Sequence, residues 1–305
     1  MALTQRVRLL ISLLVVAPML ATLAFVAAQA DRLSRATLER GLGEARGVWE
    51  TLQADRYNKL KLGVRVLGND PAFKSSIATD HATVLDMLKE RGQDLGADFL
   101  IATDPAGLVV ARTDRPTANG DDLSKDPVVM KPLEGEESSS VWRQGDRLYQ
   151  VVSVPNRFGD HLVGVLIAGY GIDESLANQV GHLTHSRVAF LVSGADRVPH
   201  LLASSLGAEA ATLESALGRP HAASADTRET FVGELGGERH VGVRVPLRSA
   251  GGETVGFLVV LRSVAEQAAP FARFRNHVVL VSLALAALTL GVAYLVAFRI
   301  AGSSR

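Results

Sequence analysis

The chain of 305 residues contains no cysteine, which removes disulfides, thiolate metal sites and thiol nucleophiles together. Redox chemistry through sulfur is excluded. Neither sign of charge is in excess, since 32 basic side chains stand against 32 acidic ones. Without net positive charge there is no global field to displace the counterions condensed on a duplex, so nucleic acid is not expected as a partner. Catalytic spacings are missing too: the sequence has no G-x-S-x-G, no G-x-x-x-x-G-K-[ST] and no nucleophile placed at a motif distance from a base. An enzyme is not expected, and no cofactor is implied. What remains, 47% hydrophobic and 21% charged residues, is the composition of a folded protein of one or two domains.

The hydrophobic residues are concentrated at the two ends. Residues 9–30 carry no charge, and a helix rising about 1.5 Å per residue over that length crosses a hydrocarbon layer of roughly 30 Å. Residues 278–298 repeat the pattern, so two transmembrane helices are expected to flank a water-soluble domain. Arg6 and Arg8 precede the first and Arg299 and Arg305 follow the second, which puts residues 1–8 and 299–305 in the cytoplasm and the middle of the chain outside. Arg32, Arg35, Arg273 and Arg275 reduce that asymmetry. A second reading of the N-terminus stays open, because Ala28, Gln29 and Ala30 form an A-x-A cleavage site before Asp31.

Within the ectodomain, Leu42, Ala45, Trp49 and Leu52, then Tyr57, Leu60, Val64 and Leu67, step by three or four with one irregular interval, which predicts a long stalk helix. Its apolar stripe fits either packing along its own domain or a parallel seam between two protomers, and a homodimer is expected. Asp70 before Pro71 breaks it, and a second helix is predicted over residues 80–92. Short β-rich runs follow at 99–103 and 108–113 around a proline–glycine turn. A short helix opens at Asp126–Pro127, and strands are predicted at 140–143, 147–155 and 162–171. The same order recurs: strands at 187–192 and 201–204, a helix at 207–217, strands at 230–235, 239–246 and 254–262. Gly145, Asp146, Arg147 with Val154, Pro155 parallel Gly237, Glu238, Arg239 with Val245, Pro246. The fold class is therefore α+β, two tandem antiparallel-sheet modules sharing one stalk helix.

Residues 97–101, the turn Thr103, Asp104, Pro105, Ala106, Gly107, then Arg147, Leu148, Tyr149 and Gly169 through Asp173, resemble the first module of a double Cache sensor. These are PAS-like extracytoplasmic domains of bacterial chemoreceptors, sensor kinases and cyclic-nucleotide enzymes. The resemblance covers the ectodomain and both spans and is carried by turns and strand ends. It implies stalk and following helices at 31–95, a membrane-distal module at 96–185 that holds a small-molecule pocket, a membrane-proximal module at 186–264 and a connector helix at 265–277. It further implies a receptor in a bacterial inner membrane with a periplasmic ectodomain. Residues 298–302 look like the opening of a HAMP linker, which implies a cytoplasmic output domain or a separate partner protein.

The candidate ligand residues lie at strand ends of the first module: Arg112, Trp142, Arg143, Tyr149, Tyr170 and Asp173. A guanidinium grips a carboxylate, a carboxylate takes an ammonium and aromatic rings wall the site, so an amino acid or a carboxylate is the ligand class such a set would fit. Tyr170 and Asp173 correspond in position to pocket sites of the family. Each residue also has a structural reading: Asp173 before Glu174 is a helix N-cap, the rings fill cores, and strand-end arginines are solvated. His182 and His185 stand three apart, the spacing that puts two rings on one helix face, but no carboxylate accompanies them and no metal site is assigned. An envelope scaffold that docks a protein through the same modules is the alternative.

Overall fold

The computed structural model describes residues 40–77, 80–194, 199–207, 210–217, 230–235 and 237–265, with scattered residues between 276 and 291. The expected first span and both tails lie outside the described residues, as does nearly all of the expected connector helix. Of the second span, residues 279–281, 283–284, 287–288 and 291 are described, all helical, with Leu280 and Leu288 exposed. Among the described residues no helix is long and apolar enough to cross a membrane. Leu42–Arg262 form one compact unit.

Helix α1 runs over residues 40–68. It ends where Asp70 turns away from the helical region and caps α2 (Pro71–Ser76), its side chain accepting from the Ala72 N–H at 2.8 Å, with Pro71 in the first turn where its missing N–H costs nothing. Asp80 caps α3 (His81–Leu95) in the same way, and Gly96, in the left-handed region at φ 61°, closes it.

The first sheet holds β1 (Phe99–Thr103), β2 (Val109–Arg112), β3 (Ser138–Gln144), β4 (Arg147–Phe158) and β5 (His161–Gly171), with α4 (Pro127–Leu133) between β2 and β3. After α5 (Glu174–Thr184) the second holds β6 (Arg187–Ser193), β7 (Pro199–Ser204), β8 (Thr230–Leu235), β9 (Glu238–Arg248) and β10 (Thr254–Ser263), with α6 (Ala210–Leu217) between β7 and β8. Their spatial orders, β2-β1-β5-β4-β3 and β7-β6-β10-β9-β8, are one order written twice, with antiparallel pairing, as the sequence repeat predicts.

Every residue of β1 is buried because both faces of the first sheet are covered. On one face Leu60, Val64 and Leu67 of α1 pack with Phe73, Val84 and Leu88 against Leu100, Val152, Leu166 and Tyr170. On the other, Val128 and Val129 of α4 pack on Phe99, Ile101, Trp142, Val151 and Ile167. A third core joins the modules: Leu42, Ala45 and Trp49 meet Val141 and Leu148 of the first sheet and Val188, Phe190 and Val260 of the second.

Two expectations are corrected here. The apolar stripe of α1 is not free to form a seam, because Leu42, Ala45, Trp49, Leu60, Val64 and Leu67 are each 3% exposed or less within one chain. Full burial of such side chains stabilises by about 1.5–3 kcal/mol each, which fixes that face to its own sheets. His182 and His185 do not share a helix face, since α5 stops at Thr184 and His185 is its C-cap, turned into the left-handed region at φ 49°.

Candidate functional site

The α4 face of the first sheet is roofed by the loop of residues 113–126 and by α4, and each tie between roof and sheet can be traced. Asp126 has the extended backbone of an N-cap. One of its carboxylate oxygens accepts from the Val128 N–H at 2.9 Å, and the other accepts from Trp142 Nε1–H, also at 2.9 Å. A single carboxylate thus starts α4 and fastens it to β3. The Ser153 hydroxyl donates to the Val128 carbonyl at 2.6 Å. At the far edge, Arg112 is 1% exposed and grips Asp114 with Nε and Nη2 at 2.8 and 2.7 Å, while Nη1 reaches Asp121 at 3.1 Å. This bidentate geometry pins the loop to β2.

Beneath the roof, Trp142 and Tyr149 are partners across β3–β4, and Phe99 meets both edge-on, with ring centroids 6.0 and 5.0 Å away. Gly169 makes that possible, because a Cβ there would lie 2.5 Å from the Phe99 ring. Ser140, whose cross-strand partner Val151 belongs to the same core, has a buried hydroxyl without a hydrogen-bond partner among the described residues.

The six candidates therefore do not converge. Trp142 and Tyr149 lie together under α4. Arg112 shares that face but sits on β2, at the opposite edge of the sheet, four interstrand spacings of about 4.8 Å away, with its guanidinium committed to two aspartates. Tyr170 points to the helix face, where its hydroxyl donates to the Leu95 carbonyl at 2.8 Å. Asp173 caps α5, accepting from the Leu176 N–H at 2.9 Å. Arg143 reaches from β3 to the Gly145 and Ser193 carbonyls, the second of these on β6.

Sequence reading missed Phe99, Asp126 and Ser140 on this face and Arg56 and Gln150 on the other. An acidic residue sixteen positions before a tryptophan gives no local signal, whereas Arg56 carried one, because an unbroken three-four stepping from Trp49 to Leu60 passes through position 56. Burial lowers the Arg56 pKa below its ordinary value, against the opposing pull of Tyr170, Asp173 and Asp98. Burial also pushes the Tyr57 hydroxyl above its ordinary range, outweighing its hydrogen bond from Gln53 and the Arg56 charge. A separate open groove of about 510 Å³, walled by Ile77, Val110, Leu162 and Val163 with Asp80, His81 and Asp104 at its rim, includes none of the six candidates.

Two sheets of one strand order on a shared stalk helix define a tandem PAS-like sensory protein. The sequence matches the family described as the double sensory domain of two-component sensor kinase over residues 35–267, and the chain belongs to that double Cache family. Its fold is similar to the sensory domain of the Campylobacter jejuni chemoreceptor Tlp3, at 12% identity and TM-score 0.53 over 80% of this chain and 99% of that one. The isoleucine-bound form of the same domain gives 12% identity and TM-score 0.51 over 80% and 98%, and the form with L-valine gives the same values. No curated protein matches the sequence.

Proposed function

We propose that this chain is an extracytoplasmic sensor that binds a small molecule under α4 of its first module and passes a conformational change across the inner membrane. The observation that carries the reading is Asp126, which joins the start of α4 to the indole of Trp142, so that a ligand entering between Trp142, Tyr149 and Ser140 has to move the roof. Ser140 offers a buried hydroxyl in want of a partner, and the rings offer an apolar wall, which suits a small ligand with an apolar body and one polar group. An amino acid or a carboxylate remains the proposed class. Such a ligand shifts populations only by its difference in affinity between the two roof positions.

The proposed arrangement is two spans at 9–30 and 278–298, modules at 96–185 and 186–264, and a homodimer. With the α1 stripe buried, the seam would run along the opposite face, where Gly47, Ala54, Asn58, Leu62 and Val66 are exposed. The output is a cytoplasmic domain or a partner protein. One observation favours the docking alternative: the α4 face is filled, with Phe99 only 1% exposed, while Phe158 on the β4–β5 turn is 64% exposed.

The test is the thermal unfolding midpoint of the full chain in detergent against amino acids, carboxylic acids, amines and nucleosides, starting with isoleucine and valine. A ligand at a hundred times its dissociation constant adds about 2.7 kcal/mol. The shift is expected to vanish in Ser140→Val and Tyr149→Ala and to survive in Tyr170→Phe, on the other face of the sheet. A shift lost in Tyr170→Phe alone moves the site to the helix face, and no shift with any compound favours docking.

A further inference from the structure

Arg56 occupies a position on the buried stripe of α1 where an apolar residue is expected. Below it Leu42, Ala45 and Trp49 enter the core shared by the two modules, and above it Leu60, Val64 and Leu67 enter the core of the first sheet. The guanidinium lies at the joint. Its Nε donates to Gln150 Oε1 at 2.5 Å, its Nη2 donates to the Gly171 carbonyl at 3.2 Å, and its Cζ lies over the Tyr170 ring, 4.7 Å from the centroid. No carboxylate stands within ion-pair distance of it among the described residues. Gln150 is fully buried and presents its oxygen to the arginine, because only that atom can accept, and its Nε2 is left without a partner among the described residues. The amide orientation is thus set by Arg56 at the cost of an unmet donor.

Gly171 is the last residue of β5. Its N–H donates to Asp98 at 2.6 Å, the next N–H, of Ile172, donates to the Leu148 carbonyl at 2.9 Å, and Asp173 begins α5. The arginine therefore holds the stalk helix to the peptide at which the first sheet hands the chain on to the second module.

We propose that Arg56 is the coupling residue of this protein, a clamp that makes the axial position of the stalk helix and the position of the end of the first sheet where β4 begins and β5 finishes depend on each other. The proposal deepens the sensor reading and rests on it for its signalling role. A helix movement of about 1–2 Å, the size known at packed interfaces, would stretch both hydrogen bonds past useful length and leave a half-buried cation without its directed acceptors. Intermediate positions are therefore disfavoured, and the helix is held in discrete registers. The lowering of the Arg56 pKa by burial, against the opposing pull of Tyr170, Asp173 and Asp98, agrees with a partly desolvated cation that has no direct ion pair.

Because the chain has no cysteine, Glu50→Cys, exposed on α1 and not among the proposed seam residues, and Asp160→Cys in the exposed β4–β5 turn can be spin-labelled in the full chain without background, the labelled chain being diluted with unlabelled chain so that only distances within one protomer are read. The distance distribution between the labels by pulsed electron resonance is expected to be single and narrow in the otherwise native protein. In Arg56→Met it is expected to broaden, with a component displaced by about 1–2 Å, while the unfolding midpoint holds or rises, since an apolar side chain of similar volume replaces a half-buried charge. Arg56→Lys should not restore the single distance, because an ammonium cannot hold two directed acceptors and stack on a ring together. Gln150→Leu keeps the arginine, removes its main acceptor and should broaden the distribution too, which decides the matter if Arg56→Met does not fold. A native distribution in Gln150→Leu and in any Arg56→Met protein that folds would overturn the clamp. No ligand enters the measurement, so its failure leaves the sensor reading intact, and an empty ligand panel leaves the clamp intact.

Discussion

Leu148→Ala tests whether the two modules are one cooperative structure. Leu148 opens β4 of the first sheet, is 1% exposed, and shares a core with Trp49, Phe190 and Val260. Its Cδ1 lies 2.8 Å from the point where a Cβ on Gly256 of β10 would stand, so the leucine fills the space that the glycine leaves. Truncation removes about three carbons, worth about 0.8 kcal/mol each by transfer, or about 2.4 kcal/mol together. A cavity term is added because β10 cannot close in, held as it is by the ladder that pairs Gly256 with Val192, and the total comes to about 3–4 kcal/mol. For a unit of this size that lowers the unfolding midpoint by roughly 6–16 °C. The two tryptophans provide the assay, Trp49 reporting the shared core and Trp142 the α4 face. Single-tryptophan variants followed by fluorescence in urea should show both transitions moving together in Leu148→Ala. A shift at Trp142 with Trp49 unchanged would refute the shared core, and a loss under about 1 kcal/mol would refute the cavity argument.

Gly164→Ala should be far more damaging than Gly145→Ala. Gly164 has φ 152° and a Cβ would fall 1.9 Å from the Thr103 carbonyl oxygen of β1, whereas at Gly145, φ 61°, nothing lies within 4 Å. The second change should cost about 1–2 kcal/mol for left-handed backbone alone, and the first should exceed it clearly in urea midpoints; equal losses would refute the clash. Glu137 predicts a pH dependence. Its burial raises the carboxyl pKa, but Arg65 at 2.7 and 2.8 Å and Lys61 at 3.3 Å outweigh that and hold it below its ordinary value. A depressed carboxylate stabilises above its unfolded pKa of about 4.3, and the gain is lost as pH falls through the folded value. Glu137→Gln should therefore melt below the native protein at pH 7 and level with it in strong acid. A gap that widens on acidification would contradict the assignment.

The architecture was largely legible because it rests on local rules. Asp–Pro pairs at 70–71 and 126–127 mark helix starts, a proline–glycine turn marks the first hairpin, and the repeat of strand and helix order returns as the repeated order of the two sheets. The candidate site was legible only in part. Periodicity says that Trp142 and Tyr149 alternate inward, and the ladder makes them partners, but which of two buried faces a residue joins depends on strands far away in sequence. Tyr170 and Tyr149 both sit near strand ends, yet they lie on opposite faces of the sheet. Arg112 resembled a ligand cation because Asp121, nine residues further on, folds back over it only through the loop. The stalk stripe marks a helix but does not choose its partner, because an apolar stripe looks the same whether a sheet or a second chain covers it.

The roof over the first sheet is not held by the first module alone. The β9–β10 turn of the second module, closed by the Ser249 N–H to Glu253 carbonyl bond at 2.8 Å, packs the half-buried Ala250 against the core of the α4 face. A Cβ on its neighbour Gly251 would lie 3.4 Å from Cγ of Pro127, the first residue of α4. α4 is thus fastened to the first sheet through Asp126, and the β9–β10 turn of the second module passes close to the adjacent residue. Packed cores give way in discrete steps rather than continuously, so a roof that lifts at Pro127 has to carry this turn with it or lose the contact. Arg56 makes the matching connection on the opposite face, between the stalk and the end of β5. The first sheet is therefore tied on each face to an element that leads out of the module, so the ligand-driven change proposed beneath α4 would be passed on by position, without a separate relay of charge.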